Sequence, residues 1–144
     1  MPEPRDFPYA TFKFLVEFDG FIVASFAECS GMQAETEFDE VQEGGVNDFR
    51  HKLPKASKYA NLTLRRGLTD SDVLWSWHRD VLAGQVRRKA VSVIVWDKKT
   101  TDEKWRWVFD QAYPVKWMGP ELKADGSAVA IETLELAHHG FSRS

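Results

Sequence analysis

The side chains in this chain that could do chemistry are few and scattered. The histidines are His51, His78, His138 and His139, and no two stand four apart, the spacing that turns two imidazoles on one helix toward a zinc ion. His138 and His139 are neighbours, and on a strand they would point to opposite faces. Cys29 is the only cysteine, beside Ser30-Gly31 with no histidine near it in sequence. It reads as a buried or edge thiol rather than a nucleophile, and it excludes an internal disulfide. No G-x-S-x-G elbow occurs. The acids and bases sit at surface-like positions, so no nucleophile, base and oxyanion donor group together. The expectation is a protein that is not an enzyme, with no metal and no cofactor.

One stretch could still hold an anion. "LTLRRGLTDSDVLWSWHRDVLAG", residues 62–84, reads as a strand, a break and a capped helix, with Arg65 and Arg66 ahead of the helix N-terminus. Helix N-termini attract anions, but a phosphate cradle needs a glycine-rich loop and only Gly67 is present there. Thr69 or Asp70 is the expected N-cap, Asp72 falls in the first turn and Gly84 ends the helix. Leu74, Trp77 and Val81 make one apolar stripe. The segment is expected to be scaffold, a helix packed on sheet. Trp105-Arg106-Trp107 and Arg87-Arg88-Lys89 leave a small β-barrel nucleic-acid-binding module as the alternative, by stacking and cationic contact. Against it stand core-facing tryptophans and a solvated charge run. Asn61-Leu62-Thr63 matches a glycosylation sequon, and is taken as chance.

Charge is segregated along the chain. From Glu28 to Glu43 there are six acids and no Lys or Arg; from Arg50 to Arg66 there are six bases and no acid. Either the two runs pair across a hairpin, or acidic and basic surfaces meet between copies. The second case is a heterologous contact, which builds rings or filaments.

Composition is that of one globular domain, residues 1–144, with residues 1–10 as an N-terminal arm. Apolar residues make up 43% and charged residues 28% of 144, enough for a real core. Nineteen aromatics, counted as 6 Trp, 3 Tyr and 10 Phe, favour strands. A net charge of −3 makes no global case for nucleic acid. No apolar run has the roughly 18 residues of a membrane span, and "MPEPRDFPYA" has no apolar signal segment, so direct membrane insertion is not expected.

The elements follow from periodicity. "TFKFLVEF" alternates, and Asp19-Gly20 predicts a hairpin into "FIVASFAE". "QAETEFDEV" is a strand with Glu35, Glu37 and Asp39 on one polar face. Residues 43–59 show no period, and Gly44-Gly45 and Pro54 predict a long extended loop. "ANLTLRR" is a strand and residues 70–83 are the helix. "KAVSVIVWD" and "KWRWVFDQA" follow as strands, and "YPVKWMGPELKADGS" is irregular. "AVAIETLELAHHGF" is a final strand whose apolar positions change face between Ile131 and Leu134, which predicts a bulge or a strand that serves two sheets. Six to eight strands and one helix make a mainly β fold, a barrel or sandwich with a helix packed on it.

Taken together, several stretches carry a family likeness: "FKFLVEFDG", "FAECSGM", "EFDEVQEGGVND", "RHKLP", the segment 62–84, and "GPELKADGSAVAIETLELAHHG". Over roughly residues 10–140 the chain resembles the inner tube (tail tube) proteins of contractile injection systems and phage tails, relatives of the haemolysin-coregulated tube protein of type VI secretion. The resemblance implies two packed antiparallel sheets in a barrel-like fold with one flanking helix. It implies hexameric rings of self that stack into a hollow tube, with no enzymatic activity. The partners it implies are a surrounding sheath protein, baseplate and spike proteins, and cargo effector or DNA in the lumen. It implies cytoplasmic assembly into a phage tail or injection particle.

By the same resemblance the loop touches the next ring. Glu43, Gly44, Gly45, Asp48, Arg50, Lys52, Leu53, Lys55 and Lys58 are the candidate inter-ring residues, and Glu35, Glu37 and Asp39 a candidate polar or lumenal face. Leu74, Trp77 and Val81 are expected to pack the helix on the sheets.

Overall fold

In the computed structural model the described residues are 12–23, 26–41, 51–126 and 129–144. The N-terminal arm and the part of the expected loop that holds Glu43, Gly44, Gly45, Asp48 and Arg50 lie outside them.

Ten strands and one helix are described. β1 (Phe12–Phe18) turns into β2 (Phe21–Val23). Asp19 and Gly20 hold φ of 49° and 85°, the paired left-handed residues of a tight hairpin turn. Then follow β3 (Phe26–Ser30), β4 (Ala34–Val41), β5 (His51–Tyr59), β6 (Leu62–Gly67), α1 (Val73–Leu82), β7 (Lys89–Asp97), β8 (Glu103–Met118), β9 (Ile131–Ala137) and β10 (Phe141–Arg143).

The expected barrel is corrected. Eight strands form one open antiparallel sheet in the order β2-β1-β7-β8-β9-β6-β3, with β10 also on β8, while β4 and β5 pair only with each other. Among the described residues no sheet closes on itself, because β2 and β3, the two ends of the path, are not partners. The two layers are one sheet folded over. Its fold line is β8, whose residues up to Ala112 pair with β7 and whose residues from Tyr113 pair with β9. A bulge places Asp110 and Gln111 opposite Ala90, with Gln111 at φ 53°, and such bulges bend and twist a strand.

β8 also runs through the stretch expected to be irregular. Pro114 lies where β8 has passed from β7 to β9, so one side of the strand carries no ladder and a missing N–H costs nothing. Between the two layers lies the core: Val16, Phe18, Val91, Val93 and Phe109 from one half, Leu62, Leu64, Leu134 and Leu136 from the other. α1 packs against it, with Leu74 and Trp77 buried, Val81 half-buried, and the Trp77 ring 5.0 Å from that of Phe18.

Two local expectations change for one reason. The predicted face change at Ile131–Leu134 does not occur: β9 alternates without interruption through Glu132, Leu134 and Leu136, all buried. Glu132 is an inward residue because Arg66 Nε lies 3.3 Å from it and Trp117 Nε1 donates to it at 3.2 Å. The helix begins at Val73 with Asp72 as N-cap and no side-chain capping bond, rather than at Thr69 or Asp70. Arg66 donates to the Ser71 carbonyl at 3.1 Å, and Thr69 Oγ1 accepts the Ser71 N–H. The residues before α1 are therefore tied to the sheet and to each other.

The expected loop is corrected as well. Residues 51–59 are not loop but the strand β5, paired with β4 from Val41↔His51 to Ala34↔Tyr59. Pro54 signalled a break in the sequence, yet it sits at the register shift opposite Phe38 on a strand with a single partner, where proline is tolerated.

Candidate functional site

The β4–β5 hairpin is the feature the rest of the fold does not explain. Every described residue of β4, and every residue of β5 from Lys52 on, is exposed. Both faces meet solvent, and an isolated two-stranded hairpin is marginal in water. Phe38, Leu53 and Val41 are 51%, 52% and 42% exposed, more apolar surface than such a ribbon needs for its own stability. These three were not among the candidate residues except Leu53. The signal for Phe38 was available, as an aromatic inside an acidic strand.

Register sorts the hairpin into two faces. Glu35, Glu37, Asp39 and Val41 alternate along one side of β4, and Glu35 stands opposite Lys58 and Asp39 opposite Leu53. On this face Lys55 lies 3.5 Å from Asp39, and Lys58 lies 3.4 Å from Glu37 and 4.0 Å from Glu35. The other face carries Thr36 and Ser57, hydroxyls 2.9 Å apart, and Phe38 beside Pro54 with the Lys52 ammonium 5.0 Å from the phenyl centroid. The acidic and basic runs thus meet within one chain. Exposed pairs of this kind contribute only about 0–1 kcal/mol each, so they fix register more than they stabilise.

The root of the hairpin is built differently. Tyr59 packs its ring 5.4 Å from Phe141 and 5.8 Å from His138. A Cβ on Gly31 would run into the carbonyl oxygen of Asn61, so only glycine, here at φ 93°, lets the outgoing and returning chains pass this closely.

A second surface is an open groove of about 640 Å³ between the two layers of the folded sheet, lined by Phe12, Phe14, Cys29, Met32, Val95 and Trp107. Burial without a cationic neighbour pushes the Cys29 thiol up to about 11, the opposite of a reactive thiolate. His138 and His139 lie beyond the end of β9, not on it. His138 faces the aromatic cluster, and His139 Nε2 is 3.4 Å from an Arg88 nitrogen. Trp105 and Trp107 pack side by side with ring centroids 5.6 Å apart and planes tilted by 45°, and the Arg143 guanidinium lies 3.6 Å from the Trp105 centroid. No group of three or more metal-ligating side chains occurs among the described residues, and no described helix is long and apolar enough to cross a membrane.

The family model for T4-like virus tail tube protein gp19 matches residues 10–142. A chain in the cryo-EM structure of an extracellular contractile injection system, the PVC sheath/tube terminator in its extended state, superposes with a TM-score of 0.85 at 21% identity, covering 96% of this chain and 98% of that one. A chain in the 6-fold symmetrised cryo-EM structure of the anti-feeding prophage baseplate gives 0.77 at 22% identity, covering 100% and 97%. Hcp1 from Flavobacterium johnsoniae gives 0.61 at 16% identity, covering 91% and 94%. A search of curated protein sequences gives no match.

Proposed function

The chain belongs to the family of the T4-like virus tail tube protein gp19, a structural tube-forming subunit and not an enzyme, and on that premise we propose that six copies form a ring and that rings stack into the hollow inner tube of a contractile particle. A sheath surrounds this tube, a baseplate and spike close its end, and effector or DNA passes through the lumen when the sheath contracts. The particle is assembled in the cytoplasm of a bacterial or archaeal cell and can act outside it after release. The sixfold ring is supported by the likeness to a chain of the 6-fold symmetrised baseplate structure.

The observation that carries the reading is the unsupported β4–β5 hairpin, a ribbon exposed on both faces with Phe38 and Leu53 outward. We assign it to the contact with the next ring. Lys52, Leu53, Lys55 and Lys58 contribute from β5, and Glu43, Gly44, Gly45, Asp48 and Arg50 from the segment between the strands. Glu35, Glu37 and Asp39 share a face with Leu53, Lys55 and Lys58, and they supply the polar surface suited to a water-filled lumen. The open edges at β2 and β3 are supplied for lateral pairing, which removes the exposed ladders that would otherwise recruit other chains. Native mass spectrometry of the purified assembly tests the ring. A six-subunit species, or multiples of six, is expected; a stable dimer or trimer as the largest species overturns it.

A further inference from the structure

The hairpin returns to the body at Ala60, whose N–H donates to the Gln33 carbonyl at 3.2 Å. His138 stands beside this return. Its Nδ1 accepts the Gly140 N–H at 3.0 Å, and its Nε2 lies 2.9 Å from the Ala60 carbonyl oxygen. A backbone N–H can only donate and a carbonyl can only accept, so the two contacts together place the single proton of the neutral ring on Nε2. The ring is held edge-on against Phe109 at 5.0 Å and packs between Tyr59 and Phe141 at 5.8 and 6.2 Å. Tyr59 lies on Gly140, where a Cβ would stand 2.9 Å from the phenol ring. One imidazole thus joins the β9–β10 turn to the last residues of the hairpin. Among the described residues no other side chain hydrogen-bonds the Ala60 carbonyl.

We propose that His138 is the positioning residue of the hairpin: as a neutral imidazole it sets the angle at which the hairpin leaves the body, and its protonation releases that hold. An imidazolium carries a second proton on Nδ1, which then faces the Gly140 N–H, donor against donor. The bond to the turn is lost while Nε2–H still donates to the Ala60 carbonyl, so the ring no longer links the turn to the hairpin. Of the rings packed on His138, only Tyr59 carries an ionisable group; Phe109 and Phe141 carry none. The charged groups on the adjoining segments are engaged elsewhere or face solvent: Lys58 with Glu35 and Glu37, Glu135 accepting from Asn61, His139 beside Arg88, Arg143 over Trp105, and Asp110 exposed. None of them hydrogen-bonds the imidazole. The consequence for assembly rests on the hairpin being the contact between copies; the latch itself does not.

The test is made on the unassembled full-length chain. Nitrogen-15 NMR at pH 7.5 should show His138 protonated at Nε2; a proton on Nδ1 overturns the proposal. Hydrogen exchange, corrected for intrinsic rates, is then compared at pH 7.5 and 5.0 for wild type, His138→Asn, which keeps an acceptor toward Gly140, and His138→Gln, which keeps a donor toward Ala60. On acidification the wild-type hairpin amides, 34–41 and 51–60, should lose protection roughly five- to tenfold, the scale of one net hydrogen bond. β7 and β9 should not change. Neither variant titrates, so neither should show this step. A step that persists in both variants, or a wild-type hairpin indifferent to pH, overturns the latch. A chain that passes and yet forms tubes with its hairpins free overturns the assembly reading and leaves the latch intact.

Discussion

Arg66 and Glu132 lie 3.3 Å apart in the interior, each side chain with only 2–3% of its surface in contact with solvent. Buried pairs gain little over apolar packing, but removing one partner leaves an uncompensated charge. Glu132→Ala should therefore cost about 3–5 kcal/mol in denaturant unfolding of the subunit. Arg66→Met with Glu132→Leu should recover most of that loss. If the double variant is as unstable as the single one, the pair contributes more than mutual neutralisation.

Trp77 joins the helix to the folded sheet twice, through its ring on Phe18 and through Nε1, which donates to the Arg87 carbonyl at 2.7 Å. Trp77→Ala should cost about 3–5 kcal/mol. Trp77→Phe, which keeps an aromatic ring but loses the donor and part of the indole, should cost less, about 1–3 kcal/mol, chiefly through the unpaired carbonyl. Thermal melts of the two variants separate packing from hydrogen bonding, and a wild-type melt for Trp77→Ala would contradict the packing.

Cys29 supplies a pH dependence with a definite sign. Its thiol is raised from 9.0 to about 11 by burial, so the folded chain holds this proton more tightly than the unfolded one. The contribution is present below about pH 9 and is lost as pH rises through about 11. Cys29→Ala should flatten that part of the stability profile. Alkylation of the folded chain at pH 8 should also be far slower than in denaturant, because the thiolate is the reactive form.

The hairpin can be tested without disturbing the core. Phe38 and Leu53 are half exposed, so Phe38→Ser with Leu53→Ser should shift the subunit's stability by less than about 1 kcal/mol. Rings should still form, and long tubes should not. Reversing Lys55 and Lys58 to Glu breaks exposed pairs worth about 0–1 kcal/mol each and should make tube length more sensitive to salt. Normal tubes from both variants would show that the hairpin does not join rings.

What could be read in the sequence follows from which residues obey a period. β1, β4 and β6 alternate, β7 is a short run apolar on both faces and Asp19-Gly20 is a specific turn pair, so these are legible. The helix is too, with its start displaced because Ser71 serves Arg66 instead of a cap. Glu132 broke the apparent pattern of β9, since a buried acid is recognisable only once its distant partner is known. Pro54 and Pro114 were read as breaks, but both stand where a strand lacks a second neighbour, a fact set by sheet order and invisible locally. The open sheet likewise depends on which strands end the path, not on any strand's own residues. For the hairpin, the segregated charges left pairing within a chain and pairing between copies equally open. The registers of Lys55 and Lys58 place the first on the molecule.

The central claim, that copies of this chain join into a hollow tube, is tested most directly by cryo-electron microscopy of the purified protein, alone and seeded with a baseplate. Six-subunit rings with an open centre are expected, stacked along one axis with the β4–β5 hairpin between successive rings. Particles that stay monomeric under both conditions, or a polymer without a central channel, would contradict it.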